Sequence, residues 1–247
     1  MVIVRDFEIP AGSKTIDAQL TLPDTPKKVP VIVLLTDIRG ARPVYSQIAA
    51  ALADLGYGVV LPNVYYRSAS APVVTAGADF DDETRARLQG YRALLTPEAQ
   101  AQDFTSLIAG LDATPELDAN RIGVVGYCMT GSFALRFAAQ YPERVRAAAS
   151  FHGGQLANED DPASPALLAP LINARVYIGH ADQDASAPPE QIARLDQSLA
   201  EAGVAFVTEF YAGVGHGFAI ADSAAYDVAA SARHLKRLAT LFGETLS

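Results

Sequence analysis

The chain has 247 residues, 50% of them apolar and 19% charged, which suits one α/β domain with a full core, or at most two small domains. A net charge of −9 and a pI near 4.9 argue against nucleic acid or an anionic membrane surface as a partner. The single cysteine excludes an intramolecular disulfide framework and a cysteine-based zinc site. No stretch resembles a leader or a membrane-spanning segment, so the expected location is cytoplasmic.

Residues 2–9 and 15–22 read as two strands around a turn at 10–13, forming an antiparallel edge. Residues 31–35 (Val-Ile-Val-Leu-Leu) are a continuous apolar run, the pattern of a strand buried on both faces. It ends at Thr36-Asp-Ile-Arg-Gly40, where chemistry can collect at the carboxyl end of a parallel strand. An amphipathic helix is predicted over 44–55 and a strand over 58–61. The segment 62–82 is long, polar and irregular, as functional or mobile loops are. Helices follow at 83–95 and 97–111. A strand over 122–125 leads to a turn and a helical pattern up to Pro142. Further strands are predicted at 145–151, 174–179 and 204–211, with a proline-rich excursion at 155–170. Helices are expected at 188–202 and 224–242, and a glycine-rich loop at 212–217. Alternation of strand and helix implies a mostly parallel sheet covered on both sides, with no repeat or linker to divide residues 1–247.

The turn at Gly126-Tyr-Cys-Met-Thr-Gly131 has the form of a nucleophile elbow, which presents one side chain from a strained strand-to-helix corner. The nucleophile position holds Cys128. Met129 N–H, at the helix N-terminus, would point at a developing oxyanion. A lone cysteine is otherwise most often a small buried hydrophobe. Downstream, Asp184 and His216 each follow a predicted strand, giving the order nucleophile, acid, base of α/β-hydrolases. In that arrangement His216 takes the thiol proton and returns it to the leaving alkoxide, while Asp184 fixes the imidazole tautomer. Asp182 competes for the acid role. His152 and His180 end strands and read as loop histidines, and His234 reads as a solvated helix residue. No H-x-x-x-H spacing supports a metal site, so no metal or other cofactor is expected.

These motifs, with Gln183-Asp184 and Pro188, Gly215-His-Gly-Phe218, and the Gly56-Tyr57…Leu61-Pro62…Tyr65 run, resemble the dienelactone hydrolase family of α/β-hydrolases from residue 31 to the final helix. The resemblance implies a compact α/β-hydrolase fold without a large cap, and hydrolysis of a lactone or activated ester of the carboxymethylenebutenolide type through an acyl-cysteine. It assigns the triad to Cys128, Asp184 and His216. It puts Asp37 in the place of a carboxylate that regulates the cysteine, and Ile38 in that of the second oxyanion N–H donor. Asp37 is one methylene shorter than the usual glutamate. Ile220 stands where founding members carry an arginine for the substrate carboxylate, and an aliphatic chain cannot hold an anion. Arg85 could correspond to a second arginine of that pocket. Arg39 is either another anion contact or a solvated loop charge. Tyr65 and Phe218 could line an apolar pocket or pack beneath a loop.

The expected partner is a small ester or lactone, with the chain a monomer or small homo-oligomer. The alternatives are a broad carboxylesterase or thioesterase with the same triad, and a non-catalytic protein that binds a ligand or senses oxidants through Cys128.

Overall fold

Alternating apolar and polar side chains produce the antiparallel pair β1 (Val2–Ala11) and β2 (Lys14–Pro23), turned through Gly12 at φ +64°. The computed structural model describes residues 1–75 and 80–247, which form two compact units, Met1–Ala119 and Asn120–Ser247. In the first, the strand order is β1-β2-β4-β3. β3 (Val29–Leu34) and β4 (Gly58–Pro62) run parallel, and Val31, Ile32, Val33, Leu34, Val59 and Val60 are all fully buried. This is why the sequence shows continuous apolar runs there.

Three helices complete the first unit. Helix α1 (Pro43–Ala53) starts on a proline and buries Tyr45, Ile48, Ala49 and Leu52, the i, i+3, i+4, i+7 stripe of an amphipathic helix. α2 (Asp82–Ala93) is capped by Asp81, which accepts from Thr84 N–H, and α3 (Pro97–Asp112) by Thr96. α3 lies close on β1: a Cβ on Gly110 would stand 2.8 Å from Ile9 Cγ2. The described part of the segment at 62–82 is tied down by side chains. Asn63 bonds Asp17 and the Ala69 carbonyl, while Tyr66 and Arg67 bond Asp103 of α3.

The second unit carries the order β5-β6-β7-β8, every neighbouring pair parallel. Its strands are β5 (Leu117–Tyr127), β6 (Val145–Phe151), β7 (Arg175–Gln183) and β8 (Phe206–Gly215). Helices α4 (Gly131–Gln140), α5 (Pro165–Leu168), α6 (Pro189–Glu201) and α7 (Val228–Thr245) follow them. α7 packs on β5 where there is no side chain in the way: a Cβ on Gly123 would fall 2.6 Å from the Phe242 ring. The excursion at 155–170 is held to α4 by the Arg136–Asp161 ion pair and by Arg136 Nε donating to the Ala163 carbonyl at 2.7 Å.

Three expectations need correction. Strands β7 and β8 run on through residues expected to be loops, pairing as far as Gln183 with Gly215. The sequence shows no apolar alternation there because the pairing is carried by backbone around a bulge. α7 begins at Val228 rather than at 224, because Asp227 caps it by accepting from Ala230 N–H at 2.7 Å. His234, expected in solvent, is fully buried. It lies on the inner stripe of α7, with Nε2 2.6 Å from Tyr127 Oη and Nδ1 3.2 Å from the Ser231 carbonyl. Burial lowers its pKa to about 3, so it is a neutral core group.

The corner after β5 is the tightest point of the second unit. A Cβ on Gly126 would stand 2.0 Å from the Thr130 carbonyl oxygen, a backbone atom that cannot move without opening the turn. Gly126→Ala is expected to destabilise the protein by about 3 kcal/mol or more, seen as a lower denaturant midpoint or loss of soluble protein. An unchanged midpoint would mean that the corner has slack the geometry does not display.

Candidate active site

Cys128 opens a single 3-10 turn, Cys128–Thr130, between β5 and α4. Its φ is +56°, a left-handed conformation uncommon for a residue with a side chain. Gly126 makes room on one side, and Gly131 on the other: a Cβ there would meet Ser150 Oγ at 2.3 Å and Gly153 Cα at 2.8 Å. Thr130 sits where a glycine is usual in such corners. Its hydroxyl accepts from Tyr127 N–H at 3.0 Å and donates to the Tyr127 carbonyl at 3.1 Å, so the extra side chain clasps the strand end. Met129 is the second residue of the turn and is buried, with its N–H among the first donors of the helical run.

The β7–β8 register brings the acid and base together. Asp184 and His216 each follow the last paired residue of their strands, Gln183 and Gly215. His216 Nδ1 lies 2.7 Å from Asp184 Oδ2. The Asp184 side chain is 2% exposed and that of His216 34%, so the acid is sheltered and the base opens to solvent. Asp182 turns elsewhere, its Oδ2 accepting from Gly213 N–H at 3.0 Å, where it braces the end of β8.

Charge follows from these contacts. Burial disfavours the His216 cation, but hydrogen bonds to Asp184 and Cys128 outweigh it and raise its pKa from 6.5 to about 10. Burial likewise disfavours the Asp184 anion, yet hydrogen bonds from His216 and Ser186 hold its pKa at about 2. Sequence reasoning misses Ser186, whose N–H and hydroxyl both donate to Asp184 Oδ1, at 2.9 and 2.6 Å. A D-x-S spacing is a common turn pattern, so only the structure distinguishes it.

His152 also lies at this centre. Tyr127 pairs with Phe151 across β5 and β6, which sets the following residues, Cys128 and His152, on neighbouring strand ends. His152 is buried at φ +39°, its ring centroid 5.0 Å from that of His216. Neither ring nitrogen has a hydrogen-bond partner, contrary to the expectation of a loop histidine satisfied by backbone. Burial, then the neighbouring His216, push its pKa well down, so it is neutral. Phe218 is fully buried, stacked on Tyr211 at 4.4 Å and set against His152 at 5.4 Å. It packs behind the imidazoles rather than offering a surface to a ligand. His180 is buried against Phe210.

The other sequence candidates belong to the first unit. Asp37 is held by Arg42 in a bidentate pair, Nη1 to Oδ1 at 2.7 Å and Nη2 to Oδ2 at 2.8 Å, and Oδ1 also accepts from Arg39 N–H. Gly40, at φ +74°, closes this turn with its N–H on the Asp37 carbonyl. Tyr65 is buried and braces the same turn: its hydroxyl donates to the Ile38 carbonyl at 2.9 Å, and its ring lies beside Gly40. Arg39 and Arg85 converge on one aromatic ring, their guanidinium carbons 5.9 and 5.3 Å from the centroid of Phe80. Ile220 is fully buried. Among the described residues, no group of three histidine, cysteine or acidic side chains is placed to hold a metal ion, and no helix is long and apolar enough to cross a membrane.

The model of the dienelactone hydrolase family matches residues 16–246. A carboxymethylenebutenolidase of Rhodococcus opacus is 32% identical over 187 residues, covering 76% of this chain and 69% of its own. Among solved structures, a Klebsiella pneumoniae protein provisionally described as a dienelactone hydrolase superposes with a TM-score of 0.85 at 22% identity, over 98% of this chain and 99% of the other. A dienelactone hydrolase-like promiscuous phosphotriesterase from metagenomic libraries gives 0.82 at 20% identity, over 100% and 99%. The two structures fix the fold as that of α/β-hydrolases. With a corner that presents Cys128, strand ends that join Asp184 to His216, and a family match over most of its length, the chain belongs to the dienelactone hydrolase family and is a dienelactone hydrolase-like hydrolase.

Proposed function

We propose that the protein cleaves a small lactone or activated ester of the carboxymethylenebutenolide type through an acyl-cysteine formed on Cys128. The observation that carries this reading is the contact chain Cys128–His216–Asp184, with its 2.7 Å bond between acid and base. His216 takes the thiol proton, and the resulting thiolate is the attacking group. Sγ adds to the carbonyl carbon, and Met129 N–H receives the developing oxyanion. The intermediate collapses as the C–O bond breaks and His216 delivers its proton to the departing alkoxide. Neutral His216 then deprotonates a water that attacks the thioester. Expulsion of the thiolate releases the acid and restores the ion pair. A thiolate is itself a good leaving group, so acylation succeeds only where the alkoxide competes with it, which favours enol-lactones and other activated esters.

Within this reading Arg39 and Arg85, gathered at Phe80, serve a substrate carboxylate, and Ile38 supplies the second oxyanion N–H. Asp37, its oxygens engaged by Arg42, acts by holding the turn that carries Ile38. Chain 1–247 works as one catalytic unit, as a monomer or small homo-oligomer.

Mass spectrometry after mixing the protein with a lactone and ester panel is expected to find an acyl adduct on Cys128, and Cys128→Ala to lower turnover about 10⁴-fold with the fold intact. Ester hydrolysis at the wild-type rate in that variant would move the nucleophile elsewhere. Arg85→Ala is expected to raise KM for a carboxylate-bearing lactone about tenfold and to leave that of a neutral ester unchanged. Equal effects on both would remove the anion contact.

The pH profile carries its own sign. His216 has a raised folded pKa, so its contribution to stability is present below 6.5 and lost as pH climbs through about 10. Asp184, held low, contributes above 3.8 and loses that contribution as pH falls towards 2. Activity should therefore decline on the alkaline side near pH 10, where the proton needed by the leaving group is gone. Asp37→Asn should leave that limb in place. A limb that moves in this variant would show that Asp37 exchanges charge with the centre.

A further inference from the structure

We infer that Ser186 is a positioning residue for the acid–base pair, acting through Asp184 and His216 together; this rests on the triad assignment above. The carboxylate of Asp184 divides its two oxygens between different tasks. Oδ2 faces His216 Nδ1 at 2.7 Å, while Oδ1 accepts from both the N–H and the hydroxyl of Ser186, at 2.9 and 2.6 Å. Two donors on one oxygen fix the rotation of the carboxylate, so the other oxygen stays aligned with the imidazole.

The same hydroxyl is 3.2 Å from His216 Nδ1. Its proton is committed to Asp184 and the imidazole N–H points towards the acid, so the serine oxygen offers a lone pair to that N–H. Asp184, Ser186 and His216 thus close a triangle, with the hydroxyl dipole oriented from the imidazole towards the carboxylate. That orientation favours the state in which the base is charged and the acid ionised.

Ser186 packs against the main chain at Gly154 in ordinary van der Waals contact. A Cβ on Gly154 would stand 3.4 Å from Ser186 Oγ and 3.5 Å from the Ser186 carbonyl. Gly154 N–H points to the Cys128 carbonyl at 3.4 Å. One glycine therefore lies between the backbone of the nucleophile and the serine of the acid turn. The three parts of the site are spaced by main chain as well as by their own hydrogen bonds.

The test is kinetic. Ser186→Ala is expected to lower kcat about tenfold with KM unchanged and the melting temperature within a degree or two, since Ser186 is exposed and one of the two donors on Oδ1 survives. Ser186→Thr, which keeps the hydroxyl, should recover most of the rate. In an Asp184→Asn background, Ser186→Ala should have little further effect, because the group through which it acts is already altered. Wild-type kcat in Ser186→Ala would overturn the inference, as would losses that simply multiply in the double variant. Cys128→Ala measured alongside separates the two levels. If it is inactive while Ser186→Ala is fully active, only the role of Ser186 falls; if it turns over normally, the triad itself falls.

Discussion

Parallel pairing of β7 and β8 as far as Gln183 and Gly215 is the constraint on which the centre depends. Neighbouring strands lie about 4.8 Å apart, so two residues that follow a shared last rung begin within reach of each other. Asp184 and His216 are such residues, and their 2.7 Å contact needs no long loop to create it. The same rule operates across β5 and β6, where the rung Tyr127–Phe151 sets Cys128 beside His152. Backbone hydrogen bonds, laid down far below the site, decide which side chains meet at its rim.

Crowding at the corner is the second device. The positive φ of Cys128 is unfavourable for any residue with a Cβ, and it persists because the surrounding backbone leaves no alternative. Gly126 and Gly131 have backbone or serine atoms where a Cβ would go, while Thr130 uses its hydroxyl to tie both polar groups of Tyr127. The departure from the usual glycine at 130 thus costs no space. The hydroxyl of threonine points where the strand end can use it.

The buried strands, the amphipathic helices and the corner were legible because each is a local pattern: a continuous apolar run, a 3.6-residue stripe, a nucleophile between glycines. The family motifs were equally local. The ends of β7 and β8 were not, because the register shifts after the Ala181–Tyr211 rung and the last pair, Gln183 with Gly215, carries no apolar side chain. The burial of His234 is hidden in the sequence for a related reason. Its neighbours Arg233 and Lys236 are surface residues, and only the rotation of α7 reveals that the histidine faces Tyr127. Ser186 and the Arg42 clamp on Asp37 depend on turn geometry at a resolution finer than residue spacing. Arg42 stands five positions from the acid it binds, and nothing in the string of letters separates a bidentate clamp from a solvated arginine.

The electrostatics of the imidazoles show how one environment yields opposite protonation states. His152 and His234 are buried and His216 is partly so, and burial alone would favour the neutral form of each. His234 has a tyrosine hydroxyl and a carbonyl as partners, neither of them charged, so desolvation prevails. His152 has no hydrogen-bond partner and the cation-forming His216 beside it, so both effects point the same way. His216 alone meets a carboxylate and a thiol, and the pair outweighs its burial. A neutral His152 is in turn what allows His216 to hold its proton, since a second cation at 5.0 Å would drive that proton off. The centre thus favours one imidazolium, because none of the other three histidines has a carboxylate as a hydrogen-bond partner.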